Sequence, residues 1–262
     1  MKAVKVDLPR SLKHVEIYAL SDLHLGDRNC NYKELLGLVK RIEENKNAYV
    51  ILNGDLINNA TTHSISDTYS ETISPMEQLK QATALFKPIK DKILAITSGN
   101  HENRTYRADG IDLTEIMACE LGLSDRYAPE SVTLFLRVGE IKHQATGKNT
   151  LRQVCYVLYI THGSGGGRRE GGKINRLVDL SSIIDADIYI HSHTHLPAVL
   201  KHAFYRADSK NSTIALVDKM FVNTNAWLNY GGYGEAQGYK PASTQTPIIY
   251  LNGSRKEFAA KL

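Results

Sequence analysis

Short apolar runs in this 262-residue chain end, again and again, in carboxylate, carboxamide and imidazole side chains. Residues 15–20 lead into Asp22-Leu23-His24, 49–52 into Gly54-Asp55, and 93–96 into Gly99-Asn100-His101-Glu102. Residues 154–160 lead into Thr161-His162-Gly163, and 188–190 into His191-Ser192-His193-Thr194-His195. Short apolar runs bounded by polar residues read as buried β-strands. In a layered α/β fold the carboxyl ends of such strands share one edge, where ligands bind. Side chains far apart in sequence can therefore meet around a common centre.

Helical signals separate these strands. Residues 32–44 place Leu35, Leu36, Leu38, Val39 and Ile42 on one face. Residues 76–86 follow Ser74-Pro75, a capping residue and then proline, and 112–121 are closed by Gly122. This alternation predicts a mostly parallel sheet with right-handed crossovers. In the second half, 132–138 and 154–160 read as a hairpin and 174–184 as a helix. Residues 188–190, 198–205, 213–223 and 248–251 read as strands. The sum is an α/β fold in a single domain over 1–262: a four-layer αββα sandwich, two mixed sheets face to face with helices outside both. Three long loops stand beside strand ends. Residues 58–74 are polar and carry His63. Residues 163–173 are glycine-rich and carry Arg168 and Arg169. Residues 229–241 interleave glycine with Tyr230, Tyr233 and Tyr239.

Hydrophobic residues make up 42% and charged residues 23%, the proportions of a soluble globular protein. A net charge of +4 admits a phosphate-bearing substrate and equally an ordinary surface. Cys30, Cys119 and Cys155 lack the spacing of a disulfide framework or zinc ribbon. They are expected to be reduced thiols in a cytoplasmic protein, with Cys155 in the core. Residues 1–7 show no apolar leader and no run approaches a membrane span, so neither a signal peptide nor a membrane partner is expected. The oligomeric state stays open.

Carboxylates and imidazoles together suit Mn, Fe, Zn or Ni, whereas an all-oxygen shell would favour Mg or Ca. Asp22, His24, Asp55, Asn100, His162, His193 and His195 are too many ligands for one tetrahedral zinc. They suit two divalent ions with open positions, bridged by one carboxylate. An extended chain would put both members of Asp22-x-His24, and of His193-x-His195, on one side. A lone Asp-x-His or Gly-Asp is common by chance. Three histidines in five residues after a buried strand seldom serve packing.

The order D-x-H, G-D, G-N-H-E, a strand-end His and H-T-H resembles the calcineurin-like metallophosphoesterase superfamily over residues 15–195. The resemblance implies the αββα sandwich and a site. Asp22, His24, Asp55 and His195 would hold one metal, and Asp55, Asn100, His162 and His193 the second, with Asp55 bridging. His101 would face the leaving group as general acid or transition-state stabiliser, an effect on the order of 10²–10⁴-fold. Two departures leave the ligands intact: Ser192 stands where the family usually has glycine, and Thr161 where glycine often precedes the histidine. His191 has no family role and is expected to be structural or to orient a ligand.

The implied activity is phosphoric-ester hydrolysis by a metal-bridging hydroxide, with Mn the leading metal. Two cations, two aspartates and a hydroxide would leave a net positive charge that attracts a phosphate ester. The ligand histidines must be neutral, so activity should fall as pH drops through roughly 6. The accessory loops favour a phosphodiesterase or nuclease acting on nucleotides or DNA. Arg168 and Arg169 would either contact phosphate or form a solvated basic loop, and Tyr230, Tyr233 and Tyr239, with Trp227 before them, would either pack as a Gly-Tyr turn against the sheet or stack on bases. The alternatives are a phosphomonoesterase on protein or small molecules, and an inactive binding scaffold. Retention of His101 and of every ligand argues against the last.

Overall fold

The computed structural model describes residues 1–62, 64, 68–145 and 148–262; His63 lies outside them, as do the side chains of 142–145, 148–150 and Tyr233. The strands are β1 (Lys2–Asp7), β2 (His14–Leu20), β3 (Ala48–Asn53), β4 (Ile93–Thr97), β5 (Tyr127–Ala128) and β6 (Ser131–Ala145). They continue as β7 (Lys148–Thr161), β8 (Ile188–His191), β9 (Ala198–Asp208), β10 (Thr213–Asn223), β11 (Ile248–Asn252) and β12 (Phe258–Lys261). The helices are α1 (Tyr32–Glu44), α2 (Pro75–Phe86), α3 (Asn103–Asp109), α4 (Leu113–Glu120), α5 (Glu170–Asp179) and α6 (Gly232–Ala236).

One sheet runs β12-β11-β2-β3-β4-β5 and the other β1-β6-β7-β8-β10-β9. Strands β2 to β5 are parallel, while β11 pairs antiparallel with β2 and with β12. In the second sheet β7, β8 and β10 run parallel, and β6 and β9 are antiparallel to their neighbours β7 and β10. Both sheets are therefore mixed. Alternation along each strand explains the layers. Val15, Ile17 and Ala19 of β2 and Ile51 of β3 face Leu134, Leu136, Tyr156, Leu158 and Ile190 of the opposite sheet. Leu20, Val50 and Leu52 point the other way, onto Leu35, Val39, Leu79, Leu85 and Phe86 of α1 and α2. Covering the second sheet, Leu177 of α5 packs with Tyr159, Tyr189 and Phe221. Burial on both faces is why these strands read as continuous apolar runs.

Helix α1 has the bounds its apolar face predicts. Helix α2 starts where expected, with the Ser74 hydroxyl accepting from the Glu77 N–H. The helix expected at 174–184 instead begins at Glu170 and ends at Asp179, followed by a 3₁₀ turn at Leu180–Ser182. Its first turn takes in Gly171 and Gly172, so the glycine-rich loop is shorter than the sequence suggests. Lys173 anchors that turn by donating to the Thr194 carbonyl at 2.7 Å. Helices α3 and α6, the latter inside the expected loop 229–241, and strands β1, β5 and β12 are not predicted by the sequence pattern. Cys155 is half-buried rather than in the core. Among the described residues no helix is long and apolar enough to cross a membrane.

Candidate metal centre

The carboxyl ends of β2, β3 and β4 in one sheet and of β7 and β8 in the other open on the same edge. Three clusters form there, each with its ligand atoms within 4.8 Å of one another: Asp22, His24 and His195; His24, Asp55 and His101; and Asp55, His162 and His193. Asn100 joins the last, its Oδ1 lying 3.2 Å from His162 Nε2. All seven expected ligands thus come together, and Asp55 takes part in clusters on both sides. Asp22, His24, Asp55 and His162 form a buried floor, while Asn100, His193 and His195 stand at the opening.

The local backbone differs from the extended chain the spacing suggested. Asp22, His24, Asp55, His193 and His195 all have left-handed φ, from 48° to 65°. Each such residue costs on the order of 1–3 kcal/mol and persists only where its surroundings over-determine it. Here long-range bonds do so. The Asp22 N–H donates to the Gly54 carbonyl, and the Leu23 and His24 N–H groups both donate to the Asp55 carbonyl at 2.8 and 3.1 Å. The His193 N–H donates to Asp22 Oδ2 at 3.2 Å. Sharp turns fixed across the two sheets, not strand alternation, aim these side chains inward. Gly54, at φ +75°, approaches Gly99 closely: a Cβ on Gly54 would lie 2.6 Å from the Gly99 nitrogen.

An outer layer orients the candidate ligands. His162 Nδ1 sits 2.8 Å from the Asn53 carbonyl, which leaves Nε2 facing inward. Asn53 also donates to Thr161 O and to Ser192 Oγ, so the serine that departs from the family pattern is tied to β3. Ser21 donates to Asp22 Oδ2 at 2.5 Å and meets Thr224 at 2.6 Å. His191 is buried and bonded to Asn223 Oδ1 at 2.8 Å, while Asn223 holds Thr194 Oγ1 and Leu196 O. Glu102, also buried, accepts the N–H groups of Asp55, Leu56, Ile57 and Gly99. Sequence reasoning quoted Glu102 without giving it a role and passed over Asn223 and Thr224. Yet Asn223-Thr224-Asn225 also follow a buried apolar run, Met220-Phe221-Val222, the same signature that marked the ligands.

The donors fit a cation. Asp22 Oδ1 and His24 Nδ1 are buried without a hydrogen bond, although Asp22 Oδ1 lies 3.0 Å from His195 Nε2. That approach is close but is not aligned as an N–H···O bond. His24 Nε2 and His195 Nε2 are 3.4 Å apart, and His162 Nε2 and Asp55 Oδ2 3.3 Å. Two ligands bonded to one ion at about 2.1 Å, at octahedral or tetrahedral angles, lie roughly 3.0–3.4 Å apart.

Charge points the same way. Burial works against ionising Asp22 and Asp55, but His195 beside the first and His162 and His101 beside the second hold both carboxyls below their usual range. Burial pulls His162 down, yet the Asp55 carboxylate, with Asp22, lifts it to about 10. Burial and then the charge of His162 press His193 down to about 4. Without a cation, the proton on His162 is the positive charge between the aspartates. A ligand imidazole must lose it. Addition of Mn at pH 7–8 should therefore release about one proton per chain, and apparent affinity should rise with pH up to about 10. The raised value also means that His162 stabilises the metal-free fold fully below 6.5, a contribution lost as pH climbs through about 10. Calorimetric titration in two buffers of different ionisation heat measures the release; none detected would contradict this account.

Of the substrate-contact candidates, Arg168 and Arg169 are exposed, with the Arg168 guanidinium 6.0 Å from the centre of the Tyr239 ring. Tyr230 is exposed and its hydroxyl donates to the Tyr239 carbonyl at 3.1 Å. Trp227, expected to stack on a base, is buried in the core beneath α1 and α2. Its backbone N–H donates to the Asp22 carbonyl at 2.9 Å, and its indole Nε1 is buried with no hydrogen-bond partner among the described residues.

The family model described as calcineurin-like phosphoesterase matches residues 15–197, and the chain belongs to that family. It is a metal-dependent hydrolase of phosphoric esters, with histidine and aspartate clusters able to bind metal ions. No curated protein matches the sequence. Among solved structures, a predicted phosphoesterase from Streptococcus pneumoniae is 15% identical, covering 95% of this chain and 90% of its own, with a TM-score of 0.39. A metallophosphoesterase from Sphaerobacter thermophilus is 11% identical, with coverages of 91% and 84% and a TM-score of 0.37. Zinc-complexed Vps29 from Entamoeba histolytica is 11% identical, with coverages of 94% and 97% and a TM-score of 0.35.

Proposed function

We propose that this chain is a phosphodiesterase acting on nucleotides or nucleic acid with two divalent cations, manganese first among them. Asp22, His24, Asp55 and His195 would hold one cation and Asp55, Asn100, His162 and His193 the other. When bound, such a pair polarises the phosphoryl oxygens and lowers the pKa of water. The protein's part is to aim its ligands. The Asn53 carbonyl fixes the ring of His162, Ser21 the carboxylate of Asp22, and Glu102 the turn that presents Asp55.

One observation favours a nucleotide-bearing diester over a small monoester: the two accessory loops meet. Arg168, on the loop that follows His162, lies over Tyr239, on the loop that follows Trp227. Lys240 pairs with Glu170 at 2.7 Å across the same gap. Guanidinium and phenol groups side by side suit a chain with alternating phosphates and bases. Turnover of bis(p-nitrophenyl) phosphate, cyclic nucleotides, and single- and double-stranded DNA with Mn should exceed that of p-nitrophenyl phosphate. Preference for the monoester would overturn the diester reading, and no turnover despite two bound ions would favour a scaffold. A steep fall of DNA binding with salt would support the nucleic-acid version.

A further inference from the structure

We propose that Arg104 is a substrate-binding residue of this site, its guanidinium receiving a non-bridging phosphate oxygen beside His101. The proposal rests on the phosphate-ester reading above. Arg104 lies in the first turn of α3, three residues beyond His101, and its backbone N–H donates to the His101 carbonyl at 3.3 Å. Its Nη1 donates to the Asn58 carbonyl at 3.0 Å and to that of Asn59 at 3.3 Å. Its Nη2 lies 3.0 Å from His101 Nε2. A guanidinium has only donors, so His101 Nε2 accepts, and Nδ1–H donates to the Asn58 carbonyl at 2.7 Å. In this arrangement the positive charge facing the site from this side is that of Arg104, and His101 is its neutral relay. His101 Nε2 is in turn 3.8 Å from Asp55 Oδ2, and its ring is 4.4 Å from that of His24.

Arg104 has no ion pair among the described residues; Asp55, Glu102 and Glu71 attract its charge only from beyond contact distance. Every direct partner named above is neutral. Four other arginines are paired among the described residues, Arg10 with Glu140, Arg137 with Asp7, Arg206 with Asp185 and Arg255 with Glu257; what distinguishes Arg104 from the other arginines without an ion pair is its place against His101 at the edge of the centre. A half-buried guanidinium without a counter-ion is costly unless an anion arrives. Its Nε–H and second Nη2 hydrogen have no partner among the described residues. An arginine fork matches a phosphate through two parallel N–H donors. Unlike Arg168 and Arg169, which sit on an exposed loop, Arg104 is held on a helix by two backbone carbonyls.

The test uses the Mn-loaded full chain as wild type, Arg104→Lys and Arg104→Ala. Metal content, the dissociation constant for inorganic phosphate, the melting temperature, and kcat and KM for bis(p-nitrophenyl) phosphate are compared. Arg104→Ala should keep wild-type metal content and weaken phosphate binding by about 10–100-fold, the range for losing charge-assisted hydrogen bonds. KM should rise with it, and Arg104→Lys should fall between. Wild-type phosphate affinity and KM in Arg104→Ala would overturn the proposal while leaving the metal site intact. So would a drop in melting temperature and kcat with phosphate affinity unmoved, which marks a structural role. Wild-type protein that holds no metal and cleaves no ester would instead defeat the underlying site reading, and the proposal with it.

Discussion

Asp55→Ala should strip the protein of bound metal and lower kcat/KM by about 10³-fold or more, the scale of several kcal/mol of lost metal-ion stabilisation. Asp55 is the carboxylate common to clusters on both sides of the centre. Its Oδ2 lies 3.3 Å from His162 Nε2, and its Oδ1 accepts the His101 N–H at 2.9 Å. Two cations sharing one pocket repel each other, and a shared carboxylate is the negative charge best placed to offset that repulsion. Asp55→Asn separates charge from shape, because it keeps the volume and the acceptor for His101 while removing the anion. It should lose metal nearly as fully as alanine. A linked effect provides a second check. Asp55 is the chief reason that the His162 proton is held against burial, so neither variant should release that proton when Mn is added at pH 7–8. Two ions retained per chain, measured by elemental analysis, together with unimpaired hydrolysis in Asp55→Ala, would end the two-metal account.

How much of this was legible in the sequence depends on whether the cause was local. The strands that carry the ligands could be read because burial on both faces writes an apolar run, as in Val50-Ile51-Leu52 of β3. Helix α1 could be read from its single apolar face, and α2 from Ser74-Pro75. The family likewise follows from an ordered set of polar residues at strand ends. Features set by distant parts of the chain could not be read. Strand β1 is defined by pairing with β6, residue Val4 against Leu134, and nothing near Val4 announces that partner. The left-handed turns at Asp22 and His24 are imposed by carbonyls of Gly54 and Asp55, so the spacing Asp-x-His wrongly suggested an extended segment. Trp227 stands beside tyrosines in sequence, but its indole packs into the core with α1 and α2, a contact made by residues far away in the chain. Arg104 was invisible for a related reason. Its significance lies in its position, held by the Asn58 and Asn59 carbonyls against His101, and that shows only once the neighbours are in place.

Glu102→Ala should destabilise the fold by about 4–5 kcal/mol, lowering the melting temperature by about 10–15 °C for a domain of this size. Glu102 is 3% exposed, and its two oxygens accept four backbone N–H groups: Asp55 and Gly99 at 3.0 Å, Leu56 at 2.6 Å and Ile57 at 3.1 Å. Those donors belong to the two turns, after β3 and β4, whose backbones pack closest at Gly54 and Gly99. Alanine would leave these buried donors unpaired, and each unpaired donor costs about 1–3 kcal/mol unless water enters. Glu102→Gln should cost roughly half as much, since one oxygen survives while the amide N–H₂ group turns two donors onto two others. Activity should also fall, because Asp55 sits at φ +50° only while its turn is held. A displacement of about 1 Å at a reacting centre is worth about 10²-fold. The two aspartate and glutamate variants should therefore separate. Asp55→Ala should lose metal at every temperature. Glu102→Ala loses melting temperature first, and part of its metal should return at low temperature where the turn stays closed. Wild-type stability in Glu102→Ala, measured by calorimetry, would mean that the four N–H groups find other partners and that this carboxylate does not set the position of Asp55.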